Sequence, residues 1–172
     1  MEVGVGMGDF SAVILSLCAP REFVAVDTFS LHLIPAFWGK SAAERFGKRT
    51  HRQLYEARFE QEIASGRVRV VEADSLAAIA GLADASIDLM YLDADHRYET
   101  VAAELSAALP KMKPEGWIVL NDYILTDVAG AHEPYGIPAA AHEFMIRENW
   151  EMIYLALDPH MYCDIVLRRA PP

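Results

Sequence analysis

Glu2-Val3-Gly4-Val5-Gly6-Met7-Gly8-Asp9-Phe10-Ser11 sets an acidic residue and alternating valines ahead of three glycines at every second position. A helical pattern begins immediately afterwards, with Phe10, Val13, Ile14 and Leu17 spaced to bury one face. Glycine has no Cβ, so it takes φ > 0 and lets a ligand lie against the main chain. A glycine turn between strand and helix also leaves N–H groups at the helix start, which favours polar or anionic ligand groups. The dinucleotide pattern G-x-G-x-x-G is not met. Its third glycine would stand at Asp9, and here it falls one residue early, at Gly8.

The rest of the chain bounds what this turn can serve. At 172 residues one domain with a real core is expected, spanning 1–172. Hydrophobic residues make up 53% and charged residues 23%, an ordinary globular balance. The net charge of −10 argues against a nucleic-acid surface, which needs clustered Lys and Arg. No apolar run is long enough to cross a bilayer and no signal peptide is visible, so no membrane partner and a cytoplasmic location are expected. Cys18 and Cys163 lie far apart, in neither a metal nor a redox spacing.

Taken in order, the pattern predicts strands over 1–5, 23–26, 68–71, 87–92 and 117–120. Helices are expected over 10–18, 51–65, 75–82, 98–109 and 137–148. Residues 28–50, with Pro35, Gly39 and Gly47, read as irregular. Two further strands, 150–157 and 162–168, are joined by the turn sequence Asp158-Pro159-His160-Met161, with His160 exposed and Pro171-Pro172 as a tail. Alternation of strand and helix predicts an α/β fold: a doubly wound, mostly parallel seven-stranded sheet closed by a C-terminal antiparallel hairpin.

Ligands of open α/β sheets sit beyond the carboxyl ends of the strands. Polar residues fall at those ends: Gly4, Gly6 and Gly8, then Asp27, Asp74, Asp93, and Asn121-Asp122. Asp27 could accept both ribose hydroxyls of a nucleoside, or serve as a helix cap or loop charge. Asp74 with Ser75 could reach an adenine edge, or cap the next helix.

E-x-G-x-G-x-G resembles the glycine motif of class I S-adenosylmethionine (SAM)-dependent methyltransferases. A second series extends the likeness: Asp93-x-Asp95-His96-x-Tyr98-Glu99, then Lys113-Pro114-x-Gly116-x-Ile118-Val119, then Asn121-Asp122-Tyr123. It is similar to the small-molecule O-methyltransferase branch, methyltransferase family 24 with its macrocin and catechol or caffeoyl-CoA relatives. Two departures stand out. Catechol and caffeoyl-CoA relatives carry lysine where His96 stands, and Asp-Asn where this chain has Asn121-Asp122. The resemblance implies the Rossmann-like methyltransferase fold and SAM as cofactor. It assigns cofactor contacts to Glu2, Gly4, Gly6, Gly8, Ser11, Asp27, Thr28, Asp74, Ser75 and Asp93, with Glu2 supporting the loop and Ser11 at the amino-acid end. The family usually carries helices before the first strand, so a chain without them, with a possible homodimer or other partner, is an expectation.

Methyl transfer from a sulfonium is an in-line displacement, with the reacting atoms about 3–3.5 Å apart. The acceptor's proton must also be removed, which a neutral imidazole suits. His96, with Asp93, is the candidate for that role; an orienting or packing histidine is the alternative. Asp93, Asn121 and Asp122 form a candidate oxygen site for Mg²⁺ or another divalent cation, or a metal-free hydrogen-bonded set. Phe29, Phe37, Trp38, Lys40, Arg45, Lys48, Arg49 and Arg52 could receive an aromatic or anionic small-molecule acceptor, or form a packed basic surface. His132, Glu133 and Tyr135 could wall the acceptor. His32, His51 and His142 read as exposed or packing residues. O-methylation of a small metabolite is thus the expected function. A non-catalytic SAM-fold scaffold or regulatory subunit, and an NAD-dependent dehydrogenase, are the alternatives.

Overall fold

Runs of apolar residues ending in acid, such as Phe23-Val24-Ala25-Val26-Asp27, form the strands. The computed structural model describes residues 1–127, 132–157 and 162–171, and they fall into two units, 2–75 and Met1 with 76–172. The expected turn at 158–161, with His160, and the last residue of the tail, Pro172, lie outside the described residues.

The first unit holds β1 (Glu2–Val3), α1 (Asp9–Leu17), β2 (Phe23–Asp27), a 3-10 turn (Leu31–Leu33), β3 (Ala36–Phe37), β4 (Lys40–Ser41), α2 (Ala42–Phe46), α3 (His51–Arg58), α4 (Glu60–Ala64) and β5 (Val68–Glu72). Strands β1, β2 and β5 pair in parallel, Val3 opposite Val26 and Asp27 opposite Glu72. Phe23, Val24, Ala25 and Val26 are all buried, as a strand covered on both faces requires.

Two stretches depart from expectation. Residues 28–50 are ordered rather than irregular. They contain the β3–β4 hairpin and α2, which opens on a capping box between Ser41 and Glu44. The helix expected over 51–65 is two, α3 and α4, broken at Phe59 with φ −114 and ψ 28. The break lets the buried Phe59 ring pack on Tyr55 at 4.7 Å and lie against Gly8.

The second unit holds most of α5 (Ser75–Ala80), then β6 (Ile87–Leu92), α6 (Tyr98–Ala108), β7 (Met112–Leu120), α7 (Ile137–Glu148), β8 (Trp150–Ala156) and β9 (Asp164–Arg169). β6 and β7 are parallel, and β9 runs antiparallel to both β7 and β8. β7 begins five residues earlier than expected. It runs through Pro114 and Gly116, and its register against β6 shifts between Ile87 and Leu89. Proline and glycine hide the strand signal there, because neither supplies a β-branched side chain to the pattern. Met90, Leu105, Ile118, Leu120, Ile137, Ile165 and Leu167 form this unit's core. In all, the seven sheet strands follow the order β5-β2-β1-β6-β7-β9-β8, mostly parallel with β9 reversed.

Candidate active site

Glycine at 4, 6 and 8 takes φ values of 86, 48 and 80, so the turn after β1 is left-handed at each alternate residue. At Gly8 a larger residue would force its neighbours to shift. A Cβ there would come within 2.7 Å of Phe59 Cε2 and 3.0 Å of Tyr55 Cε2.

The turn is held from inside its own unit. Asp27 Oδ2 accepts the N–H groups of Val5 (2.9 Å) and Gly6 (3.2 Å), and Oδ1 accepts that of Phe29 (2.8 Å). Three backbone donors thus occupy the carboxylate expected to take both ribose hydroxyls. A carboxylate offers about four lone-pair sites, so one remains for a ligand. Asp27 is first a loop-fixing residue.

Ser11 also departs from expectation. It is fully buried, donates to Glu2 and accepts from the Tyr55 hydroxyl at 2.9 Å, so it supports the turn from beneath. Glu2 is likewise buried, in keeping with a supporting role. His51, read as exposed or packing, is fully buried and its Nε2 bonds the Gly6 carbonyl. Arg58 donates to Met7 O (2.9 Å) and Asp9 Oδ1 (2.6 Å). The signal for His51 was present in Thr50-x-x-Gln53, a capping box that starts α3 and turns its first residue inward. Thr28 is exposed and shares a hydroxyl contact with Ser30 at 2.9 Å. Asp74 is exposed; Ser75 is buried and is the first residue of α5, so the capping position belongs to Asp74.

The second unit gathers the chemical residues. Asp93 follows β6, and His96 stands three residues on, before α6. Asp122 follows β7 with φ 54, a left-handed backbone unusual for a residue with a side chain. His96 Nε2 lies 3.4 Å from Asp122 Oδ2 and 3.7 Å from Asp93 Oδ1. That nitrogen is buried and makes no hydrogen bond of good geometry among the described residues.

The imidazole is fixed in place. Its main-chain carbonyl accepts from the Gly136 N–H at 2.6 Å, and Tyr135 stacks flat on the ring, 4.3 Å between centroids and 9° between planes. Gly136 is required there, since a Cβ would come within 2.1 Å of the Tyr98 nitrogen. Of the expected acceptor wall, Tyr135 therefore meets His96, while His132 and Glu133 are exposed. His142 bonds the Tyr123 hydroxyl at 2.6 Å, and His32 lies edge-on to Phe46.

Asn121 turns elsewhere. Its amide donates to the Tyr91 hydroxyl (3.0 Å) and to Asp164 Oδ1 (2.9 Å). The donors that come together are Asp93, His96 and Asp122, all within 4.8 Å of one another. Imidazole has joined the expected oxygen set, and the Asn121 amide is committed to Tyr91 and Asp164.

Electrostatics follow from this crowding. Burial pushes the Asp122 carboxyl up; His96 pulls it down, and Asp93, Asp164 and Asp127 push it up again, to about 6. Burial by itself would lower His96. The contact with Asp93 and the charges of Asp122, Asp93 and Asp95 outweigh it, and the imidazole titrates above its ordinary 6.5. Burial, then Asp122 and Asp127, raise Tyr135 to about 12, so it stays a neutral hydroxyl.

A doubly wound sheet with a left-handed glycine turn at its first strand and acidic residues at later strand ends defines a nucleoside-binding α/β protein. The family model described as a methyltransferase domain matches residues 1–123, and the chain belongs to that family, the class I SAM-dependent methyltransferases. No curated protein matches it in sequence.

Solved structures share the fold. The pyocyanin biosynthetic protein PhzM aligns with a TM-score of 0.64 at 15% identity, over 98% of this chain and 49% of its own. The mitomycin 7-O-methyltransferase MmcR aligns with 0.65 at 10% identity, over 98% of this chain and 48% of its own. Fibrillarin of Aeropyrum pernix, solved with natively bound S-adenosyl-L-methionine, aligns with 0.59 at 14% identity, over 96% of this chain and 64% of its own. The chain thus spans about half the length of PhzM and MmcR. No helix among the described residues is long and apolar enough to cross a membrane.

Proposed function

We propose that this chain transfers a methyl group from SAM to a hydroxyl of a small metabolite. The observation that carries the reading is the Asp93–His96–Asp122 group, which places a buried imidazole nitrogen 3.7 Å from one carboxylate and 3.4 Å from another. The bound cofactor supplies a methyl already activated on a sulfonium. The chain's own residues then have two tasks. The glycine turn, fixed by Asp27, His51 and Arg58, offers a rigid seat that needs no reorganisation on binding. The His96–Asp122 pair accepts the acceptor's proton, with Tyr135 holding the ring. The net charge of −10 supports a small-molecule acceptor over a nucleic acid, and a cytoplasmic location belongs to the same reading.

A divalent cation fits the same three residues. Two carboxylates and one imidazole suit Mn²⁺, Fe²⁺ or Zn²⁺ as well as Mg²⁺. Asp93, His96 and Asp122 would hold it, where it would lower the acceptor hydroxyl's pKa.

The test is transfer of labelled methyl from SAM across a panel of hydroxylated small molecules, with and without chelator and added Mg²⁺ or Mn²⁺. Transfer that falls by 10²–10⁴-fold in His96→Ala supports the reading. Binding of SAM without turnover on any acceptor would favour the scaffold reading instead.

A further inference from the structure

The β3–β4 hairpin carries a feature that the proposed chemistry does not use. Phe37 pairs with Lys40, and the two residues between them, Trp38 and Gly39, have φ 46 and 72. Two left-handed residues at a hairpin tip define a type I′ turn, whose first position favours Asn, Asp or Gly. A bulky aromatic residue there goes against the local preference. Such residues cluster at ligand clamps.

The Trp38 side chain is also unusually open, at 68% exposure. The hairpin beneath it is fixed: Arg45 donates to Trp38 O (2.7 Å) and Phe37 O (3.3 Å), and its guanidinium lies 4.9 Å from the Phe37 ring centre and 5.5 Å from that of Trp38.

The edge of the indole reaches the glycine turn. Gly6 gives its N–H to Asp27 and its carbonyl to His51, so its open side is the face where a Cβ would stand. The Trp38 Cη2 atom lies 3.4 Å from that position, and among the described residues no other atom beyond Gly6's chain neighbours comes within 4 Å of it.

We propose that Trp38 is a cofactor-contacting residue: its indole forms the outer wall over Gly6 and packs on SAM seated at the turn. The assignment rests on SAM binding as proposed above. The ligand class suits an indole that already has the Arg45 guanidinium 5.5 Å from its ring centre, since an adenine ring stacks on an aromatic face.

Titration of the full chain with SAM, followed by calorimetry and by tryptophan fluorescence, tests it. The chain has three tryptophans, and Trp38→Phe identifies the reporter. In the wild type, SAM should alter the emission. In Trp38→Phe that change should vanish while affinity stays near the wild type, because phenylalanine keeps an aromatic face. Trp38→Asn should bind SAM about tenfold more weakly, yet melt at the same or a higher temperature, because asparagine suits the turn. Wild-type affinity in Trp38→Asn, or a fluorescence change that persists in Trp38→Phe, would overturn the assignment alone. A wild type that binds neither SAM nor S-adenosylhomocysteine would overturn it together with the reading it rests on.

Discussion

Asp122 combines a left-handed backbone with a carboxyl raised to about 6. It holds its proton more tightly folded than unfolded. Its contribution to stability is therefore complete below the unfolded value of 3.8 and is lost as pH rises through about 6. Asp122→Asn should remove that part of the pH dependence, which denaturant titrations in chelator between pH 4 and 7.5 will measure. Gly8→Ala adds a methyl 2.7 Å from Phe59 at φ +80, and should cost roughly 3 kcal/mol by the same measurement. At this scale the sequence was legible where chemistry depends on adjacency. Asp93 and His96 lie three residues apart at the end of one strand, and they meet. It was illegible where a role depends on which way a side chain turns. Ser11 and Asp27 occupy family positions, but one lies under the turn and the other already accepts from three backbone donors. Asn121 and Asp122 are neighbours at a strand end, yet the Asn121 amide turns to Tyr91 and Asp164 while the Asp122 carboxylate, on a left-handed backbone, meets His96.

Short elements carry the supports of the glycine turn, and they explain most of what was missed among the helices and strands. α3 begins with the Thr50–Gln53 capping box, and its first residue, His51, reaches the Gly6 carbonyl. Thr50→Ala should cost about 1 kcal/mol in denaturation. It should also weaken SAM binding, because it loosens His51; unchanged binding would show that the turn does not depend on this helix start. Helices with an uninterrupted apolar period, such as α6 and α7, were read within a residue of their observed bounds. α3 and α4 were read as one because periodicity carries no signal of a break that tertiary packing imposes at Phe59. The β3–β4 hairpin was read as irregular because Trp38-Gly39 replaces the Asn-Gly that marks such a turn.

For the whole molecule, alternation of strand and helix was enough to give the class of fold, since parallel strands need helical crossovers between them. The family match over residues 1–123 takes in the glycine turn, Asp27, Asp74, Asp93, His96 and Asp122 together. It ends at Tyr123, before Tyr135 and the hairpin of β8 and β9, so it supplies no family pattern for those residues. That explains why the cofactor could be inferred from the sequence and the acceptor could not. The central claim is that the turn at residues 4–8 seats SAM. Isothermal titration of the purified chain with SAM tests it most directly. One saturable site, displaced by S-adenosylhomocysteine and lost in Gly8→Ala at temperatures where that variant is folded, is the predicted result. An absence of heat at millimolar SAM, or binding that S-adenosylhomocysteine cannot displace, would contradict it.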